Sequence, residues 1–438
     1  MINEDKNSVK INWKTGFIYL TILAPLFFVL YNWANSYALL LPKNSINEIV
    51  YNWEKNIPFL PWTILPYWSI DLLYGLSLFL PMTKFAQRQH ALRLLVATPI
   101  AVGFFYFFPM TFSTVKPEIH GIWKTLFEIL TGFDKPYNQA PSLHIILLVI
   151  IWLIYLPHFE KIGKLLWNFW CFLIGISILT TFQHHFIDIP TGFLVGIFIC
   201  YLFPLKEIQV LKRQNLKSKQ LAIGYLGLGF LLITAGYFSN LLVALLFIWL
   251  GISLFFIGLG YLSFGAVIFQ KNENGKFTVA ARILYLPFRI IIKLIRYLFF
   301  NKFNTESKIT NEISIGNFNQ SKTTTANTIF DLCSEYEREN YLIPNYKNYQ
   351  LIDLAVPSLN ELTFAVIELD TLIKEKDSVF VHCALGLSRS ATVVLGWLLY
   401  SKNANSVQDA IDYFIKNNYK YHLSKAHKQL LETYFKSI

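Results

Sequence analysis

The chain has 438 residues, of which 54% are hydrophobic, 17% aromatic and only 15% charged, a balance that excludes a disordered or simple soluble protein and points to a membrane protein. Its net charge of +11 is unevenly spread: residues 1–300 carry 24 basic and 12 acidic side chains, whereas residues 301–438 carry 14 and 15. Cations beside apolar spans are topology signals and contacts for anionic membrane lipid, and the polar third shows no basic stripe with stacking aromatics, so no nucleic-acid partner is expected.

Eight apolar stretches reach the roughly 17–25 residues needed to cross a bilayer. They are 15–35, 62–81, 91–110, 140–157, 162–182, 187–205, 219–237 and 240–269. The first follows Lys6, Lys10 and Lys14 and precedes no convincing small-residue cleavage site, so it reads as a retained helix. The cations at the chain start, the loop with Lys84, Arg88 and Arg93, the loop with Lys161 and Lys164, and the loop from Lys206 to Lys219 are mutually consistent as cytoplasmic. Eight crossings then place both ends in the cytoplasm, in a bacterial inner membrane. Stretch 240–269 admits one tilted helix or a broken pair, and a pair would move the C-terminal part to the other side.

Two polar clusters lie at the starts of spans, Ala140-Pro141-Ser142-Leu143-His144 and Gln183-His184-His185-Phe186-Ile187-Asp188, and Lys116-Pro117 lies between two earlier spans. The topology puts all three on the outer face. Ionisable groups are costly at such positions and are functional candidates by default. The i, i+4 spacing of His184 and Asp188 predicts a shared helical face, on which a carboxylate can fix an imidazole tautomer. These residues resemble the type 2 phosphatidic acid phosphatase superfamily, with its basic clamp, P-S-x-H and H-x-x-x-D. The resemblance implies His184 as nucleophile, Asp188 as its orienting partner, His144 as acid, and Lys116 and Ser142 as phosphate ligands; His185 is the alternative nucleophile. Leu143, Ser177-Ile178 and Lys116-Pro117 depart from the phosphatase pattern and look closer to lipid phosphotransferases related to inositol phosphorylceramide synthases. Satisfied interfacial histidines in an inactive anchor are the competing reading.

After Gly275, Arg282, Arg289, Lys293 and Arg296 punctuate an apolar run, the last three at i, i+4, i+7, which predicts a basic amphipathic helix on the membrane surface. A ninth span is the poorer alternative. Residues 301–311 read as a polar linker. From 312 the composition is that of a soluble α/β domain, with a buried strand at 378–382 and helices at 391–400, 407–418 and 424–435. The four cysteines, Cys171, Cys200, Cys333 and Cys383, show no paired or metal-ligand spacing.

Between that strand and the next helix stands His382-Cys383-Ala384-Leu385-Gly386-Leu387-Ser388-Arg389-Ser390. Successive backbone amides of Ala384, Leu385, Gly386, Leu387 and Ser388 at a helix N-terminus form an anion cradle that favours a thiolate and a phosphate. Arg389 can grip two phosphate oxygens, and Ser390 can hydrogen-bond the departing thiolate. The segment resembles the H-C-x-x-G-x-x-R-S signature of cysteine-dependent dual-specificity phosphatases in the protein tyrosine phosphatase superfamily. That resemblance implies a general acid some thirty residues earlier, a role that fits Asp353; Asp331 and Asp370 are less well placed.

Together the two resemblances imply a multi-pass α-helical membrane domain of about eight transmembrane helices followed by a C-terminal α/β protein tyrosine phosphatase-like domain. The expected divisions are 1–60, an N-terminal span and outer segment; 61–210, the phosphatidic acid phosphatase-like domain; 211–275, additional spans; 276–311, the surface segment and linker; and 312–438, the dual-specificity phosphatase domain. The expected function is bifunctional: a cytoplasmic phosphomonoesterase acting on a lipid phosphate or phosphoprotein, and an outer-face lipid phosphatase or phosphotransferase. Neither needs a cofactor or metal. The rivals are a membrane-anchored tyrosine or serine/threonine protein phosphatase and a transporter carrying a pseudophosphatase.

Overall fold

The computed structural model describes residues 10–42, 46–112, 114–206, 216–300, 306–339, 345–376 and 378–438. Lys6, Lys212 and Arg213, used above for orientation, and residues 301–305 of the expected linker lie outside these. The chain divides into two units, 1–207 and 208–438.

The first unit contains helices α1 (Trp13–Leu40), α2 (Ile64–Ser77), α3 (Lys84–Phe107), α4 (Gly121–Phe133), α5 (Leu143–Tyr155), α6 (Lys161–Thr180) and α7 (Asp188–Leu202). α5 is its hub. Ile145 to Ile151 are all buried, and a helix that is apolar all round belongs inside a bundle. α7 lies close against it because Gly192 and Gly196 carry no side chain: a Cβ on Gly196 would stand 2.7 Å from Val149 Cβ, and one on Gly192 2.8 Å from the Ser142 carbonyl. The N-terminus of α5 is capped by Ser142, whose Oγ accepts the Ile145 amide at 3.4 Å.

The second unit opens with α8 (Leu216–Tyr237) and α9 (Leu241–Leu259). They meet through Gly229 and Gly251, where a Cβ on either would come within 2.8 Å of the other's carbonyl. α9 winds on through a π-turn, Gly260–Phe264, and a 3₁₀ turn, Gly265–Phe269. The ambiguous stretch therefore holds one long helix, α9 with its π-turn, which breaks at Gly265 (φ +70°) into a short 3₁₀ turn rather than into a second span. α10 (Val279–Leu284) and α11 (Leu286–Phe300) follow. The remainder is a five-stranded sheet of β1 (Ser307–Lys308), β2 (Ile313–Asn317), β3 (Thr328–Cys333), β4 (Asn345–Leu351) and β5 (Val379–Cys383), ordered β1-β2-β5-β3-β4. All its pairings are parallel except that of β1 with β2. α12 (Leu359–Lys376), α13 (Arg389–Tyr400), α14 (Val407–Lys416) and α15 (Lys425–Phe435) complete it. Central β5 is buried at every position, as a parallel strand covered on both faces must be.

Several sequence expectations are corrected. Against the expected eight spans, five helical segments among the described residues are long and apolar enough to cross a membrane: Trp13–Leu40, Lys84–Phe107, Lys161–Thr180, Ser218–Tyr237 and Leu241–Phe269; Leu143–His158 and Asp188–Leu202 are shorter apolar helices. Stretch 62–81 yields only the 14-residue α2 after a 3₁₀ turn at Pro61–Thr63. Arg93 is not a loop cation. It is buried and caps α7, donating to the Phe203 carbonyl at 2.8 Å and the Cys200 carbonyl at 3.2 Å, where a helix C-terminus favours positive charge. The expected linker already contains β1 and the buried Ile309, so the α/β domain starts earlier than 312.

Candidate active sites

The C-terminal site forms where β5 ends and α13 begins. Cys383 is the last residue of β5 and Arg389 the first of α13. The turn between them requires glycine: Gly386 has φ +72°, and a Cβ there would stand 2.7 Å from the Gly316 carbonyl. Tyr419 donates to the Gly386 carbonyl at 2.6 Å, and the His422 amide donates to the Leu387 carbonyl at 2.8 Å. Ser388 Oγ lies 3.1 Å from His427 Nε2, whose other ring nitrogen is held by Ser424 at 2.7 Å. The carbonyls are thus anchored outward. Among the described residues, the amides of Ala384 to Ser388 make no hydrogen bond to the protein, which leaves them available to an anion.

Cys383 Sγ stands 3.3 Å from Ser390 Oγ. Arg389 is fixed from behind by Glu335, with Nη1 and Nη2 reaching the two carboxylate oxygens at 2.8 and 2.7 Å, and by the Leu351 carbonyl at 2.9 Å. Burial pushes the Glu335 carboxyl up, but Arg389 outweighs it and holds the group below its usual range. Arg389 Nε is buried without an acceptor, a donor left over for a bound oxyanion. Asp353 Oδ1 lies 3.0 Å from Arg389 Nη2, with the side chain 44% exposed. Its backbone carbonyl accepts a hydrogen bond from Tyr261 Oη at 2.8 Å, and Tyr261 stacks on Tyr225 at 5.4 Å. An aromatic pair from the end of the α8–α9 rod thus grips the candidate acid's own loop.

The other two aspartates are committed elsewhere. Asp331 is fully buried and bound by Lys271 Nζ and Tyr346 Oη, each at 2.7 Å. Asp370 accepts from Trp397 and pairs with Lys374. Asp331, Cys333 and His382 bring one potential metal-ligating atom each within 4.8 Å, a grouping that the sequence spacing did not disclose. Lys271 already supplies the positive charge at that carboxylate. Burial lowers the pKa of His382, with Asp331 opposing, so the ring stays neutral.

In the first unit, Ser142, His184 and Asp188 meet. His184 Nδ1 lies 2.9 Å from Asp188 Oδ2 and Nε2 lies 3.3 Å from Ser142 Oγ, all three residues being buried. The helical-face argument for the His184–Asp188 pair is corrected: α7 begins only at Asp188, and a turn carries His184 to the carboxylate. His144, in the first turn of α5, stacks on Tyr67 at 4.2 Å, and Tyr67 donates to Asp134 at 3.1 Å. His185 faces Glu54 at 3.1 Å and Glu48 at 3.4 Å and stacks on Phe112 at 4.5 Å. Lys116 Nζ lies over the Phe127 ring at 5.5 Å. No contact joins Lys116 to Ser142, His184 or Asp188 among the described residues.

Glu335, Tyr261, Lys271, Tyr67 and Glu54 were not found from sequence, because each joins its site across tens of residues. The only local hint was the capping pattern by which Glu54 Oε1 also accepts the Tyr51 amide.

Residues 299–436 match the family model described as the dual specificity phosphatase, catalytic domain. Over 95 residues the chain is 30% identical to cyclin-dependent kinase inhibitor 3 of Rattus norvegicus, an alignment covering 19% of this chain and 45% of that protein. The chain thus spans less than half the length of this curated relative. Among solved structures, Tk-PTP in its active form is 19% identical, covering 30% of this chain and 97% of that one, with a TM-score of 0.28. PTPMT1 in complex with PI(5)P is 18% identical, covering 31% and 96%, with a TM-score of 0.27. The C-terminal domain is a catalytic domain of the dual-specificity phosphatase type.

Proposed function

We propose that the C-terminal domain hydrolyses a phosphomonoester through a phosphocysteine at the cytoplasmic surface of a membrane that the apolar helices cross, and that a lipid phosphomonoester is its substrate. In the first step Cys383 Sγ attacks phosphorus, the bond to the leaving oxygen breaks, and Asp353 gives that oxygen its proton. Water then attacks phosphorus, Asp353 takes a proton from it, the P–S bond breaks and inorganic phosphate leaves. Ser390 stabilises the departing thiolate. Arg389 and the loop amides neutralise the three equatorial oxygens.

The observation that carries the reading is the junction of Asp353, Arg389 and Tyr261. The carboxylate stands 3.0 Å from the phosphate-binding arginine, while its own carbonyl is held by a tyrosine of the Leu241–Phe269 span. A site gripped by the end of an apolar span favours a substrate presented at a bilayer surface over one arriving from solution. A phosphoprotein is the rival substrate, and on that reading the first unit is an inactive anchor.

A second activity in the first unit is favoured by one observation: a buried histidine whose two nitrogens address Asp188 and Ser142. That arrangement suits a phosphohistidine intermediate passed to water or to a lipid hydroxyl, with His144 as acid. The test is phosphate release by the purified chain in mixed micelles from phosphatidic acid, phosphatidylglycerophosphate and a phosphotyrosine peptide, beside Cys383→Ser and His184→Ala. Loss of release from a lipid in Cys383→Ser supports the first proposal. Loss of release from a different lipid in His184→Ala supports the second. Activity confined to the peptide, lost only with Cys383, overturns both lipid assignments.

A further inference from the structure

Beside the phosphatase domain, α11 and residues 335–339, with Lys276 and Phe318, line an open cleft of about 490 Å³. Five cationic side chains line it: Lys276, Arg289, Lys293, Arg296 and Arg338. Its three carboxylates are already engaged, Glu335 by Arg389, Glu337 by Arg282 and Arg289, and Glu339 by Lys322. The uncompensated charge is positive. Lys293 makes no ion pair among the described residues. Arg296 lies against both the Phe318 and Tyr336 rings, 4.7 Å from each centroid, the two rings being packed 5.1 Å apart, and its Nη1 is buried without an acceptor. A guanidinium nitrogen that is buried and short of an acceptor is costly, and an anionic oxygen reaching it removes that cost.

The other face of the same helix is apolar and uncovered. Ile291, Leu294, Ile295 and Leu298 are all exposed. The basic face expected to meet the membrane is instead turned partly onto the domain, while the apolar face is left to the bilayer. α11 also begins only seventeen residues after the end of the Leu241–Phe269 span, which keeps it near the membrane surface. A ligand matching both features has an anionic phosphate headgroup for the cleft and acyl chains for the stripe.

We infer that this cleft binds the headgroup of an anionic phospholipid, as a site separate from the Cys383 centre, with α11 seated among the acyl chains. The inference rests on the membrane placement proposed above but not on Cys383 chemistry. It deepens the expected surface contact from a diffuse attraction into a single built site.

The test uses the full chain in nanodiscs of phosphatidylcholine doped with a photoactivatable phosphatidylglycerol, a phosphodiester that the proposed phosphomonoesterase chemistry leaves intact. Crosslinks are mapped by peptide. Segment 286–298 is expected to be labelled in wild type, at least about tenfold less in Lys293→Ala/Arg296→Gln and less in Lys293→Ala alone. Labelling of α8 and α9 stays constant and confirms insertion. Arg296→Lys retains most of the labelling. Equal labelling in the double variant, or equal labelling by photoactivatable phosphatidylcholine, overturns the site. Full displacement by millimolar glycerol phosphate shows a soluble-anion site and overturns the lipid assignment. Because the readout is independent of turnover, Cys383→Ser is expected to label like wild type even if the phosphatase proposal fails.

Discussion

At the scale of single residues, the division of labour around Cys383 follows from which polar groups are spoken for. Glu335 holds Arg389 rigid through two hydrogen bonds, so the guanidinium meets phosphate without first being ordered. Asp353 is the one aspartate considered for the acid role that faces that arginine while remaining partly exposed, as proton exchange with a substrate requires. Asp353→Asn keeps the shape and removes the proton. Hydrolysis of an unactivated alkyl phosphate is expected to fall by about 10²–10⁴ in kcat, and that of p-nitrophenyl phosphate much less, because its leaving group needs little protonation. Equal losses on both esters would remove Asp353 from the acid role. The nine residues from His382 to Ser390 were readable because strand end, loop and helix start are contiguous in sequence. Glu335, forty-eight residues before Cys383, has no local signature and becomes visible only when β3 is laid beside β5.

At the scale of elements, the segment after α9 turned out to belong to the phosphatase domain as much as to the apolar rod. Lys271 reaches from it into the sheet and binds Asp331 and the Cys333 carbonyl, each at 2.7 Å, with the lysine side chain wholly buried. Hydropathy marks where a span ends but not what its last residues touch, so this link was illegible in sequence. Arg289, Lys293 and Arg296 show the same limit: their spacing gave the amphipathic helix, but Glu337, Phe318 and Tyr336 decide which way its basic face turns.

Burial pushes the Asp331 carboxyl up, but the Lys271 ammonium, with hydrogen bonds from Lys271 and Tyr346, outweighs it and brings the pKa down to about 2. A depressed carboxylate contributes stability above its unfolded pKa, and that stability is lost as pH falls through the folded value. Wild type should therefore lose on the order of 2 kcal/mol between about pH 4 and pH 2. Lys271→Met should cost about 3–5 kcal/mol at pH 7 by leaving a buried charge unpaired. Its residual stability should then rise as acid protonates Asp331, the reverse of wild type. Labelling of the buried Cys333 by a pH-tolerant disulfide reagent across a urea series reads both trends. A Lys271→Met curve parallel to that of wild type in acid would mean that the pair does not govern this edge of the sheet.

At the scale of the whole chain, the proposed membrane placement makes the side on which each site would lie a matter of counting crossings. Between His184 and the phosphatase domain stand α7, α8 and α9. The last two lie within segments long and apolar enough to cross, but Asp188–Leu202 is only 15 residues, about 22 Å of helix against a hydrocarbon core of roughly 30 Å. Hydropathy alone does not separate an apolar run that crosses from one, such as that of the 14-residue α2, that can be buried within a bundle. The side assignment of His184 therefore turns on α7. If α7 crosses, three crossings place the two sites on opposite faces, as the Lys/Arg bias also requires. Lys124→Cys, on α4, whose Phe127 stacks through Phe59 onto Phe182 two residues before His184, marks the first site's face. Lys428→Cys, exposed on α15, marks the domain. An impermeant maleimide should label the first in intact spheroplasts and the second only after the membrane is opened. Labelling of both in intact spheroplasts would place the phosphatase outside, and labelling of neither would leave α7 within one leaflet and both sites on the cytoplasmic side.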